Sequence, residues 1–271
     1  MSEPDPWASY IGREVSRDGV LDTATIARFD ATLGLDHPSG SLPLGFHWCA
    51  GVETYPTDTL GTDGHPPKGD FLPPIPLPRR MWAGGALEIN QSLRAGQAFT
   101  RLSRIADVKE KSGRSGSLVF VTVEHEIYVD SQLHIRERQD IVYRPAEQAA
   151  ETPVLPPAPA REEGDFLPDS RLLFRYSALT FNSHRIHYDL PYAQAEENYP
   201  ALVVHGPLQA TLLAAKAANV LGRPLRRFSF RGVAPAFANV PLAIRFEQKE
   251  GGALGLHTQQ FGKPCMQAEA A

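Results

Sequence analysis

Residues 145–160, PAEQAAETPVLPPAPA, limit what this chain can fold into more than any other stretch. Proline lacks the backbone N–H that helix interiors and central strands need. The run also has no hydrophobic period with which to bury a face. It reads as a semi-rigid linker and divides the chain into a unit of 1–145, a connection of 146–165 and a unit of 166–271. Each unit is of ordinary domain size. A second proline cluster, PPKGDFLPPIPLP at 66–78, is expected to be extended and to cover a surface rather than form a core element.

Both units are written mainly in strand. LVFVTVEHEIYV (118–129) is β-branched and aromatic with partial alternation, and KSGRSG (111–116) before it punctuates a hairpin. Further strands are expected at 86–93, 134–144, 171–181, 226–234, 241–250 and 255–262. Helices are few. Residues 23–34 follow Asp22, a good N-cap, and end at a glycine. Residues 206–221 have Pro207 in the first turn and Gly222 at the stop, with alanine and leucine nearly all round, which predicts a buried helix. One buried helix beside an antiparallel sheet, built twice, is an α+β fold.

Composition narrows the partners. A net charge of -4 gives no basic footprint for nucleic acid. The two cysteines, Cys49 and Cys265, make neither a metal motif nor a disulfide framework and fit a reducing cytoplasm. The start of the chain has neither the basic residues nor the apolar run of a signal peptide, and no apolar stretch is long enough to span a bilayer. The expectation is a cytoplasmic protein with no membrane or nucleic-acid partner.

Two stretches carry chemistry. In VVHGPLQATLL (203–213), His205 and Gly206 open the expected buried helix. Such a start offers unpaired N–H groups and a positive dipole end, and glycine lets a ligand approach the backbone, so a carbonyl oxygen that becomes negative would be stabilised there. The plainer alternative is an ordinary helix start beside a core histidine. FNSHRIHYD (181–189) packs polar groups densely. Neutral His187 suits a general base near neutral pH. Asn182 cannot take a proton but can orient a water or an imidazole. Asp189 is better read as the N-cap of a helix over LPYAQAEEN than as a second base. Arg185 either binds an anion or makes a surface ion pair. Glu196 and Glu197, the carboxylates that a thioesterase would need, read as a solvated helix face.

YSALTFNSHRIHYDLPYA followed by YPALVVHGPL resembles the hydratase motif of MaoC-like hot-dog proteins. LGTDGHPPKGDFLPPIPLPRRMWAGG, SRIADVKEKSGRSGSLVFVTVEHEIY and RERQDIVYR resemble the type-2 3-hydroxyacyl-thioester dehydratases, a group that includes mesaconyl-C4-CoA and itaconyl-CoA hydratases. The resemblance implies a double hot dog, in which each half wraps a curved antiparallel sheet around a helix, with catalysis in the second half. It puts His187 on the catalytic histidine and Gly206 on the glycine whose N–H faces the thioester oxygen. Asn182 falls where the motif has its catalytic aspartate, a departure. His184, Arg185, His205, Arg79 and Arg80 are then candidates to bind substrate, the arginines for a free carboxylate. Arg226, Arg227 and Arg231 are candidates for the phosphates of coenzyme A.

The implied reaction is reversible hydration of an α,β-unsaturated acyl-CoA, with a small dicarboxylic acyl group preferred. It needs no metal, and no cofactor beyond the coenzyme A of the substrate. The alternatives are dehydration of carrier-protein- or CoA-bound 3-hydroxyacyl chains in fatty-acid metabolism, and a catalytically silent acyl-thioester-binding subunit. A homodimer of double hot dogs is among the assemblies that the resemblance allows.

Overall fold

The structure, a computed structural model, describes residues 6–35, 41–113, 116–146 and 153–271. The first half runs β1 (Glu14–Val20), α1 (Thr23–Leu33), β2 (Arg79–Ile89), β3 (Ala98–Gly113), β4 (Gly116–Val129) and β5 (Gln132–Arg144). The second runs α2 (Ser170–Thr180), α3 (Leu190–Ala195), α4 (Gly206–Leu221), β6 (Arg227–Gly232), β7 (Ala243–Gln248), β8 (Leu254–Gln260) and β9 (Lys263–Ala270). All the strands join one antiparallel sheet in the order β1-β3-β4-β5-β2-β6-β9-β8-β7. The seam between the halves is the β2–β6 pair, from Gly84 opposite Arg231 to Glu88 opposite Arg227.

Helix α4 packs on β6, β8 and β9. Leu208, Ala210, Leu212, Leu213, Ala214 and Ala217 are buried on several of its faces, as the all-round apolar sequence predicts. They share a core with Leu87, Phe99 and Ile127 of the first half. Each such leucine contributes on the order of 2 kcal/mol by leaving water. The polar groups of α4 that enter this core are satisfied: Thr258 Oγ1 donates to Gln209 Oε1 at 2.7 Å, and Thr211 Oγ1 donates to Pro207 O at 2.9 Å.

The stretch 171–181, expected as a strand, is instead mostly α2. Its buried residues are Leu172, Leu173, Tyr176, Ser177 and Leu179, a helical stripe, while Phe174 is 66% exposed. A strand would have placed Leu172, Phe174 and Tyr176 on one face. Asp169 caps the helix by accepting from Leu172 N at 2.9 Å. The proline cluster 66–78 has neither helix nor strand, yet it is more than a cover. Ile75 is fully buried and packs with Ile105, Val121 and Tyr143 in a second core. The described part of the linker, 153–160, also lacks helix and strand.

Candidate active site

The loop 181–189 leaves α2 with Phe181 in the left-handed region, which turns the chain sharply toward the start of α4. It closes with Asp189, which caps α3 by accepting from Tyr192 N. Between them, residues 185–187 form a single 3₁₀ turn. This fixes His187 against the segment that precedes α4: its Nδ1–H donates to Val203 O at 2.7 Å. The tautomer is thereby set, and Nε2 carries the free lone pair. No protein group among the described residues bonds Nε2, and it is not enclosed.

Asn182, His184, His187 and Gly206 border one cavity of about 800 Å³, together with Arg79 and Arg80 from β2. The first half also contributes polar Arg101, Ser103, His125 and Gln139 to the lining, beside apolar Trp48, Phe71, Val123 and Ile141. Gly206 opens α4 without a side-chain cap. A Cβ built there would meet nothing nearer than Met266 Cε and Trp82 O, both at 3.8 Å, so packing does not require the glycine. The positive end of a sixteen-residue helix and a free imidazole lone pair thus face the same space.

The imidazoles form a row. His205 lies flat beneath His187, with centroids 3.6 Å apart and planes at 20°. His184 meets His187 edge-on at 5.6 Å, and His65 lies against His184 at 4.1 Å with the rings tilted by 37°. Burial, then the neighbouring His205, holds the His187 pKa well below the usual imidazole value. Burial likewise lowers His205 to about 3 and His65 to about 4. Crowding of this kind keeps a base unprotonated at neutral pH. His205 Nε2 shares a 2.9 Å hydrogen bond with Ser177 Oγ, and the residue is buried under His187, so it is a platform and does not border the cavity.

The arginines separate. Arg185 is taken up by Asp189 at 2.7 Å and by the carbonyl of Thr62, covers the Tyr192 ring, and does not border the cavity. Arg79 is buried 3.8 Å from Glu197 and donates to Glu196 O. Arg80 borders the cavity and, among the described residues, pairs with no carboxylate. Arg226, Arg227 and Arg231 do not line this cavity. Glu197 is not solvated as the sequence suggested. It is buried, borders the cavity and accepts from His184 Nε2 at 3.1 Å.

Sequence reasoning also gave no role to Asp63 and His65, although the Asp-x-His pair between glycine and proline was visible. Asp63, His65 and His184 bring one ligand atom each within 4.8 Å of one another. His65 already engages Asp63, and His184 engages Glu197, so the group is a hydrogen-bonded array as it stands.

The fold is a double hot dog, and its cavity joins an imidazole base to an open helix start, the equipment of a hydro-lyase acting on a thioester. The family described as hydroxyacyl-thioester dehydratase type 2 matches residues 45–238, and the chain belongs to that family. It is 48% identical over 254 residues to the mesaconyl-C(4)-CoA hydratase of Chloroflexus aurantiacus, covering 90% of this chain and 89% of that one. A solved MaoC-like dehydratase superposes with a TM-score of 0.73 at 14% identity, over 97% of this chain and 98% of the other. A Mycobacterium tuberculosis protein described as having a double hot-dog fold gives 0.59 at 11% identity, over 96% and 95%.

Proposed function

We propose that the protein adds water reversibly across the double bond of a small dicarboxylic enoyl-CoA, of the mesaconyl-C4-CoA or itaconyl-CoA kind. The observation that carries this reading is the shared cavity of His187 Nε2 and the uncapped start of α4. In this reading the thioester oxygen lies against Gly206 N–H. Water attacks Cβ as His187 Nε2 takes one of its protons. The π electrons move to the thioester oxygen, and the resulting enolate takes the proton back at Cα. Coenzyme A enters only as part of the substrate.

The Chloroflexus relative is named for a dicarboxylic acyl-CoA. Arg80, a cavity cation without a carboxylate partner among the described residues, is the arginine best suited to a free carboxylate. The family description favours 3-hydroxyacyl-thioester dehydration as the second reading. Among the described residues no helix is long and apolar enough to cross a membrane. The two free buried cysteines support a cytoplasmic setting, and we place the protein there.

The test is loss of enoyl-thioester absorbance with mesaconyl-CoA, itaconyl-CoA and crotonyl-CoA in parallel. Turnover of a dicarboxylic substrate, reduced about 100-fold or more by His187→Ala, is expected. Arg80→Ala should raise KM for the dicarboxylic substrate and leave that for crotonyl-CoA nearly unchanged. Turnover of crotonyl-CoA alone would move the assignment to the general dehydratase, and no turnover would leave a silent binding protein.

A further inference from the structure

The stretch LGTDGH (60–65) has no part in the mechanism above. It comes from the first half, yet it is fastened to the loop that carries His187. Arg185 N donates to Asp63 O at 2.9 Å, and Ser183 Oγ donates to Gly64 O at 2.5 Å. Gly64 has φ +86°, and a Cβ there would stand 1.9 Å from Ser183 O. Backbone lies on backbone, which only glycine permits. The contact delivers His65 to the edge of the cavity, tilted against the His184 ring. Asp63 Oδ2 accepts from His65 Nδ1 at 2.8 Å, which leaves the lone pair on Nε2. No protein group among the described residues bonds that nitrogen, and it is not enclosed.

Asn182 cannot take a proton: its Oδ1 accepts from His184 N at 3.0 Å and keeps one further lone pair, a weaker acceptor than a neutral imidazole nitrogen. A water that attacks carbon with its lone pair has two hydrogens, and an acceptor for each orients that lone pair toward Cβ. His187 Nε2 supplies one.

We propose that His65, held by Asp63, is a catalytic residue whose Nε2 accepts the second hydrogen of the attacking water. This rests on the hydratase reading. His187 takes the proton that leaves the water and returns it to Cα, while the O–Cβ bond forms and the other O–H bond stays intact. His65 ends the cycle with the protons it began with. The site is therefore assembled from both halves of the chain.

The experiment uses the full chain and whichever enoyl-CoA the wild type hydrates. His65→Ala removes the acceptor. His65→Asn keeps a donor near the Nδ1 position for Asp63 and lacks the outer nitrogen, which covers the case in which alanine fails to fold. Both are expected to lose kcat about 100-fold while KM changes less than about threefold. Added imidazole should restore part of the rate of His65→Ala, because the space vacated opens onto the cavity. A folded variant with wild-type kcat, or a loss in His65→Ala that imidazole does not restore, overturns the proposal and leaves 60–65 as a strap. A wild type inactive on every enoyl thioester would instead sink the hydratase reading, and this inference with it.

Discussion

Gly206→Ala separates the two readings of the start of α4, because stability and activity should move in opposite directions. Gly206 is the first residue of the helix, and its φ is not positive. An added Cβ would be in ordinary contact only, 3.8 Å from Met266 Cε and Trp82 O. Nothing in the fold resists the substitution. Restricting the unfolded chain should then stabilise the protein by about 0.4–1 kcal/mol, raising Tm by roughly 1–4 °C. The methyl group would nevertheless occupy open space beside the N–H that we assign to the thioester oxygen. Losing one such donor costs about 100-fold in kcat, or ~2.7 kcal/mol of transition-state stabilisation. Differential scanning calorimetry and the enoyl-thioester absorbance assay on the same preparation measure both effects. A raised Tm with wild-type turnover would refute the oxyanion role of Gly206. A lowered Tm would refute the claim that packing does not require the glycine.

Gly64→Ala should fail on both measures, since the contact with Ser183 O is backbone against backbone and φ is positive. A loss of about 2–4 kcal/mol and a clear fall in kcat are expected, whereas Gly69→Ala, with φ +102° and its nearest contact at 3.6 Å, should incur only the conformational cost. Thermal melts of the two variants side by side would expose an error. Burial holds His187, His205 and His65 below the usual imidazole value, so unfolding between pH 6.5 and 4 makes them take up protons. The unfolded state then binds more protons, so Tm should already fall on acidification from pH 7 to 5, above the range of the carboxylates, and a flat Tm there would contradict the burial argument. The acid limb of kcat/KM should likewise lie below pH ~6.5. Finally, Glu137 is buried, accepts from Trp48 Nε1 at 2.8 Å and Gln139 Nε2 at 2.9 Å, and is brought down to about 2, against burial, chiefly by His47. Glu137→Ala should cost about 3–5 kcal/mol, seen as a drop in the urea midpoint; a midpoint within error of wild type would show the cluster to be dispensable.

The fold was legible where local chemistry and tertiary demand agree. Asp22, Asp189, Pro207 and Gly222 stand at helix ends for reasons that the neighbouring residues state, and the structure uses them so. Residues 171–181 were expected as a strand although Leu172, Leu173 and Tyr176 have helical spacing, and Asp169 went unread as a cap. Strands β1, β3 and β9 were not anticipated. β3 mixes charged residues with apolar ones, and β9 contains a proline, so neither shows clean alternation. His187 and Gly206 were visible because their motifs lie close together in sequence. His65 was not, because what makes it part of the cavity is a contact between chain segments about 120 residues apart. The same applies to Arg185, whose fate depended on Asp189 one turn later and on the Thr62 carbonyl.

The β2–β6 seam has a consequence for how the protein is made. β2 joins the first-half sheet through β5, which ends at Arg144, and roughly 80 further residues are translated before β6 begins at Arg227. At ordinary ribosomal speeds, one margin of the nascent first-half sheet stays bare for roughly 4–16 s. The proline-rich stretch 145–160 emerges during that interval and is poorly able to add itself to the margin as a strand. Bare margins recruit foreign strands, so expression yield should depend on how quickly the second half follows. Pausing the ribosome within codons 150–225 would be expected to increase aggregation without changing any residue of the finished enzyme.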